Sequence, residues 1–112
     1  MTADQFRRLT LTLPETCAGA HQGHEDLRVA GKIFATLGYP DAHWGMVKLT
    51  PKQQTYFVAL NADVFVPVKG AWGRKGSTNV LLKKATKATL LPALVAAWAN
   101  RAPKKLLEAL DA

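Results

Sequence analysis

Acidic residues are missing from most of the C-terminal half of this 112-residue sequence. No Asp or Glu occurs between residues 64 and 107, whereas nine basic residues do: Lys69, Arg74, Lys75, Lys83, Lys84, Lys87, Arg101, Lys104 and Lys105. Residues 1–63 carry six acidic and six basic residues, so the formal net charge of +7 arises from the C-terminal half. Such an asymmetry predicts a polyanionic partner, most simply nucleic acid; the alternative is a basic protein whose charge serves solubility alone.

Cysteine and long apolar runs are also scarce. Cys17 is the single cysteine, which excludes an internal disulfide and suits a reducing compartment. No apolar run approaches the roughly 20 residues that cross a bilayer, and the N-terminal segment lacks the basic start and apolar block of a signal peptide. We therefore expect a cytoplasmic protein with no membrane partner. Its length and its 48% hydrophobic content predict one domain over residues 1–112.

Capping patterns predict the first two helices. Thr2 with Gln5 and Thr50 with Gln53 both match the capping box, in which two side chains satisfy free backbone amides at a helix start. Pro14 is expected to stop the first helix. The buried face of the second helix is expected to consist of Tyr56, Phe57 and Leu60.

Alternation of apolar and polar residues predicts five strands, and the segment 15–24 is interpreted as a loop. The strands cover approximately residues 27–30, 33–37, 44–49, 64–68 and 79–82. The last third is helical, with an apolar stripe of Leu91, Leu94, Val95 and Trp98 and a short helix after Pro103. The order α-β-β-β-α-β-β-α predicts a two-layer α+β domain, an antiparallel sheet with helices on one face.

Three sequence blocks in this order resemble the MmcQ/YjbR family. They are GH-x-D-x-RV-x-GKIFATLG at residues 23–38, WG-x-V-x-L followed by a TP helix start at residues 44–51, and WGRKGST-x-V-x-L at residues 72–82. The helix with Trp98 and the following APKKL also match, whereas Glu25 stands where the family version has proline. The resemblance implies the two-layer fold also seen in secretion chaperones. It also implies a DNA-binding role, in a family whose biochemical activity is poorly defined.

The glycine-rich segment VKGAWGRKGSTNV, residues 68–80, is the leading candidate for a binding loop. Gly73-Arg74-Lys75-Gly76 has the GxxG spacing with a basic centre, which in KH domains presents amide N–H groups and cations to phosphate. It is not a P-loop, because the GK[ST] order and the strand-to-helix context are absent. Trp72 is expected either to stack on a base or to be buried. The alternative is a mobile connection whose cations keep the protein soluble.

A second basic cluster follows the fifth strand. If strand and loop form a wing, its lysines share one surface with the cations of the glycine-rich loop. The predicted nucleic-acid-binding residues are therefore Lys69, Trp72, Arg74, Lys75, Lys83, Lys84 and Lys87. Binding by such a surface is expected to be sensitive to salt and tolerant of sequence.

Other chemistries find little support. Cys17-x3-His21-x2-His24 is the one metal-like spacing, but it lacks the second ligand pair of a structural zinc site, so neither a metal nor another cofactor is predicted. No nucleophile elbow or paired carboxylate set indicates an enzyme. Two other binding roles stay open. One is a chaperone-like interaction module whose basic face meets an acidic protein, and the other is a small-ligand domain that uses Lys32, Trp44 and His24.

Overall fold

The structure, a computed structural model, describes residues 1–110, with side chains through Glu108. Its elements are α1 (Ala3–Thr10), β1 (Thr16–His21), β2 (His24–Val29), β3 (Lys32–Leu37), β4 (Trp44–Lys48), α2 (Pro51–Leu60), β5 (Phe65–Pro67), α3 (Ala71–Arg74), β6 (Ser77–Leu81), a 3-10 turn (Leu82–Lys84), α4 (Lys87–Arg101) and α5 (Lys104–Leu110). The strands form one antiparallel sheet in the order β1-β2-β3-β4-β6-β5. The predicted α+β class is confirmed.

Helices cover one face of this sheet and enclose the core. The ring of Phe6 from α1 lies directly over Gly45 of β4, where an added Cβ would be 2.9 Å from the ring. Phe57 of α2 contacts Phe65 of β5, with ring centroids 5.7 Å apart. The longest helix, α4, contributes Leu90, Ala93, Leu94, Ala97 and Trp98 to the same core. The sheet and the helices therefore make the two layers that the sequence predicts.

Both predicted capping boxes are present. The Thr2 hydroxyl oxygen accepts a hydrogen bond from the Gln5 amide at 3.0 Å, and the Gln5 side chain accepts one from the Thr2 amide at 2.8 Å. The same reciprocal bonds join Thr50 and Gln53. Each box satisfies backbone donors that have no partner inside the helix, and this fixes where α1 and α2 begin.

Residues 15–24 do not form the predicted loop. Thr16–His21 is strand β1, which pairs with β2 from Thr16 opposite Val29 to His21 opposite His24. The strand lies at the edge of the sheet, and its centre is the small tripeptide Ala18-Gly19-Ala20. Because it carries no large apolar residues, alternation could not reveal it, and the ladder with β2 decides its conformation. Residues 1–110 therefore contain six strands, and α3 adds a further helix between β5 and β6.

Two predicted helix faces also need correction. In α2 only Phe57 is buried, while Tyr56 and Leu60 are 59% and 58% exposed. In α4 the buried stripe includes Ala93 and Ala97, whereas Val95 is 39% exposed. Hydrophobicity alone misplaced this stripe because small residues face the sheet there. None of the helices within residues 1–110 combines the length and apolar character needed to span a bilayer.

A buried ion pair braces the β1–β2 hairpin on the sheet face opposite the helices. Asp26 is fully buried, and Arg28 Nε and Nη2 donate to its two carboxylate oxygens at 2.7 and 3.0 Å. His21 Nδ1 lies 2.8 Å from Asp26 Oδ2. Gly19, opposite Asp26, leaves room for the pair, since a Cβ there would lie 2.9 Å from Asp26 Oδ1. The Arg28 hydrogen bonds hold the pKa of Asp26 below its usual value, although burial acts in the other direction.

Removal of this carboxylate should destabilise the protein in a pH-dependent way. Asp26→Ala is expected to lower the free energy of unfolding by about 2 kcal/mol at neutral pH, because Arg28 loses its partner. The folded-state pKa of Asp26 lies below the ordinary value of about 3.9, so its contribution is complete above that value. The contribution is lost as pH falls through the folded-state pKa. In urea denaturation, the difference between wild type and variant should therefore begin to shrink below about pH 4 and disappear only below the folded-state pKa.

Asp63→Ala is the matched control for this experiment. Asp63 is an exposed acid that takes part in none of the ion pairs among the described side chains. Its removal should leave the free energy of unfolding within about 0.5 kcal/mol of wild type. An Asp26→Ala effect that does not shrink on acidification would contradict the role assigned to the carboxylate.

Candidate functional site

The glycine-rich segment folds as the short helix α3 and uses its amides internally. The amide of Arg74 donates to the Gly70 carbonyl at 3.2 Å, that of Lys75 to the Ala71 carbonyl at 3.1 Å, and that of Gly76 to the Gly73 carbonyl at 3.0 Å. The central amides of the GxxG sequence are therefore occupied. Phosphate binding of the KH type, which uses such amides, is not what this geometry offers.

Gly73 and Gly76 permit close packing of the protein's own backbone. A Cβ at residue 73 would lie 1.5 Å from the Val68 carbonyl oxygen, and one at residue 76 would lie 2.0 Å from that of Leu49. Gly76 also has a φ of 113°, in the region that side chains disfavour. The two glycines therefore position α3 against the end of β4, and the chemistry of the segment comes from its side chains.

Gln54 of α2 anchors this arrangement. Its Nε2 donates to the carbonyls of Gly73 and Ser77, both at 3.0 Å. The Val68 amide donates to the same Ser77 carbonyl at 3.0 Å. The backbone that carries Trp72 is thus tied to α2, β5 and β6.

Trp72 presents its ring to solvent and to two cations. Trp72 is 64% exposed. The predicted alternative in which Trp72 is buried is therefore wrong. The Nζ atoms of Lys48 and Lys75 lie 5.7 and 5.6 Å from a ring centroid of Trp72. Both distances are within the range of cation–π attraction.

The ring forms one wall of a cleft of about 270 Å³ between α3, the end of β4 and the end of α4. We call it the cationic cleft. The residues that define its chemistry are Lys48, Trp72, Lys75, Ser77, Asn100 and Arg101. Three of these are cations, and none of the residues that line the cleft is acidic. The cleft is therefore suited to a negatively charged ligand.

Lys48 is a partly buried cation of the cleft. Partial burial, and secondarily the charge of Arg101, lower the pKa of its amine below the usual value. Asn100 Nδ2 donates to the Lys48 carbonyl at 3.1 Å and holds the end of α4 against the end of β4. An anion in the cleft would favour the charged amine and offset both effects.

The structure divides the predicted basic wing into two groups. The first lies around α3 and the start of β6, and its members are Lys69, Trp72, Arg74 and Lys75. The second follows the far end of β6, and its members are Lys83, Lys84 and Lys87. A five-residue strand separates the groups by roughly 16 Å. All six cations are exposed, but only Lys75 joins Trp72 in the cationic cleft.

Lys48 and Arg101 are the cleft cations that sequence reasoning missed, and Ser77 and Asn100 were not predicted either. Lys48 ends β4 and Arg101 ends α4, and only the tertiary fold brings them beside Trp72. One signal was available, since Arg101 belongs to the acid-free region 64–107. No local pattern distinguishes Lys48, because a lysine is an ordinary residue at a polar position of a strand that alternates apolar and polar side chains.

The possible metal ligands of the N-terminal half are not brought together. Within the described side chains, residues 1–108, no group of three His, Cys, Asp or Glu residues is placed to hold a metal ion. His21 contacts Asp26, and His24 packs edge-on against Tyr39 with ring centroids 5.6 Å apart. Cys17 is exposed and sits opposite Arg28 in the β1–β2 ladder.

The three residues considered for a small-ligand site are also separated. His24 and Trp44 lie at the end of the sheet where β3 finishes, because Leu37 pairs with the residues next to them. Lys32 begins β3 at the opposite end. The structure therefore gathers no pocket from this set.

Substitution of the loop glycines tests the packing of α3. Gly73→Ala is expected to lower the free energy of unfolding by about 3 kcal/mol, because the new Cβ collides with the Val68 carbonyl oxygen. Gly23→Ala, in the two-residue turn between β1 and β2, meets no atom within 4 Å and should cost only about 1 kcal/mol for its left-handed φ of 79°. Urea denaturation of the two variants measures the difference. Equal losses of stability would show that the collision with Val68 is easily relieved.

Comparisons with known proteins assign no family to this chain. No protein-family model matches it, and no curated protein matches it. The MmcQ/YjbR resemblance stays a prediction, and the functional argument depends on the cationic cleft and its surroundings.

Proposed function

We propose that this protein binds nucleic acid, most simply DNA, through the cationic cleft and the basic surface beside it. The observation that carries the proposal is the combination of an exposed Trp72 with three cations and no acid in one cleft. Phosphate and aromatic base are the two groups that every nucleic acid offers, and this cleft has a partner for each.

Phosphate is the anion that the cleft chemistry favours. Arg101 has a planar guanidinium that can make two parallel hydrogen bonds to phosphate oxygens. Lys48 and Lys75 add compact charges on either the same or a neighbouring phosphate. Because these three cations repel one another when the cleft holds no anion, binding of phosphate relieves an existing electrostatic cost.

A chain of phosphates explains the surrounding charge better than a single anion does. Lys69 and Arg74 are exposed next to the cleft, and the second basic group begins after β6, roughly 16 Å away. One strand of B-form nucleic acid carries a phosphate about every 3.4 Å along its axis. A strand that starts in the cleft would therefore reach Lys83 and Lys84 after about five nucleotides.

The proposal includes no catalytic step. It places the protein in the cytoplasm, a reducing compartment that suits an exposed free cysteine. An acidic protein is the competing partner for the same surface. The two partners differ in salt dependence, because release of condensed counterions is a property of nucleic acids.

Removal of cleft charge should weaken binding and reduce its salt dependence. For the double variant Lys75→Met, Arg101→Met, the slope of log affinity against log salt should fall by about 0.9 for each phosphate of duplex DNA that the protein no longer neutralises. This slope can be measured by fluorescence anisotropy with labelled duplex and single-stranded DNA, from low to physiological salt. Circular dichroism should show an unchanged fold, since both residues are exposed.

The matched control removes the same charge elsewhere. Arg8→Met with Lys32→Met takes away two exposed cations that do not line the cationic cleft. This control should keep nearly the wild-type slope. If cleft and control variants lose affinity equally, the cleft has no special role. If wild-type protein binds no DNA even at low salt, the nucleic-acid function is wrong and an acidic protein becomes the partner to seek.

A further inference from the structure

We infer that the cationic cleft takes one unpaired nucleotide, with its base stacked on Trp72 and its phosphate held by the cleft cations. The inference rests on the proposed function and deepens it, because it names the form of nucleic acid. Single-stranded nucleic acid fits this cleft, and an intact duplex does not.

The ring of Trp72 is available and held in place. It is 64% exposed, and the backbone beneath it is fixed by the Gln54 hydrogen bonds to Gly73 and Ser77. A large aromatic side chain on a fixed support loses little freedom when a ligand covers it. Stacking of a base on such a ring is tolerant of sequence, because every base has an aromatic face.

The cations stand where the phosphate of a stacked nucleotide would need them. Lys48 and Lys75 approach the Trp72 ring itself, and Arg101 lines the same cleft. A base that stacks on the ring displaces an ammonium group from its face. The phosphate of the same nucleotide can then bind the displaced ammonium group, so the cation–π contact is exchanged for a charge-assisted hydrogen bond.

A duplex cannot make this contact because its bases already stack on one another. The cleft volume of about 270 Å³ also lies at the lower limit of pockets for drug-sized ligands, which span roughly 300–1,000 Å³. It has room for one nucleotide rather than for a base pair. A protein that needs an unpaired base therefore prefers single strands, loops or frayed ends.

Trp72 is distinguished from the other exposed aromatic residues by its charges. Tyr39 and Tyr56 are 57% and 59% exposed, but within the described side chains the only cation–π contacts are those of Trp72. Tyr56 on α2 thus provides a matched control, an exposed ring that does not line the cleft.

The test compares three labelled probes at one low salt concentration by fluorescence anisotropy. They are a twelve-nucleotide oligothymidylate, the same backbone with every base replaced by an abasic residue, and the oligothymidylate paired with its complement. Wild-type protein should bind the intact single strand about tenfold more tightly than the abasic strand, the size of one base–aromatic stack. It should also favour the single strand over the duplex.

Substitution of Trp72 should abolish the preference for the intact over the abasic single strand and leave binding of the abasic strand nearly unchanged. Trp72→Leu is expected to bind the intact and abasic strands equally, with the abasic affinity within about twofold of wild type. Tyr56→Leu should keep the full preference. Trp72→Phe, which keeps a smaller aromatic ring, should show an intermediate preference for the intact over the abasic strand. This variant replaces Trp72→Leu in the test if the leucine variant folds poorly.

The outcomes separate this inference from the proposed function. Binding of all three probes with equal affinity would overturn the single-nucleotide cleft and leave nucleic-acid binding in place. A Trp72→Leu variant that still prefers intact single strands would overturn it as well. Failure of wild-type protein to bind any probe at low salt would overturn the proposed function and this inference with it.

Discussion

The close approach of two backbone segments underlies the candidate site. Between β5 and β6 the chain folds back on itself so that Gly73 meets the Val68 carbonyl, and Gly76 meets the Leu49 carbonyl that follows β4. Only glycine fits at these two positions. From this close packing follow the position of α3, the exposure of Trp72 and the shape of the cleft. In the proposed mode of binding, the glycines thus contribute indirectly. They support an aromatic side chain that needs little reorganisation, whereas the amides that a GxxG loop usually offers are already used within the helix.

Charge is segregated in the fold as well as in the sequence. In the part of the chain that the structure describes, every ion pair between a carboxylate and a basic side chain falls within residues 4–28. Glu25 is held by Arg7 and Asp26 by Arg28, so these two acids of the N-terminal half are occupied by cations of the same half. The cations that line the cleft share it with no carboxylate. This distribution leaves the cleft as a place where the proposed polyanionic partner would meet unopposed positive charge.

Local sequence patterns predict much of the fold, whereas contacts between distant parts of the chain could not be predicted from them. The capping boxes and the alternating strands β2 to β4 were predictable because the signals lie within a few residues. Strand β1 was not, since its small residues are ordered only by pairing with β2. The basic character of the site was evident from composition. The meeting of Lys48 with Arg101 beside Trp72 was not, because it depends on how β4 and α4 pack together.

Assembly of the cleft from distant parts of the chain has a thermodynamic consequence. Lys48, Trp72 and Arg101 come from a strand, a short helix and the end of the longest helix, so the cleft exists only in the folded chain. A ligand that fills it binds the native state and not the unfolded chain. By mass action, an occupant at 100 times its dissociation constant would raise the free energy of unfolding by about 2.7 kcal/mol. Binding in this cleft and folding of the chain are therefore linked equilibria, so a bound partner would stabilise the folded state.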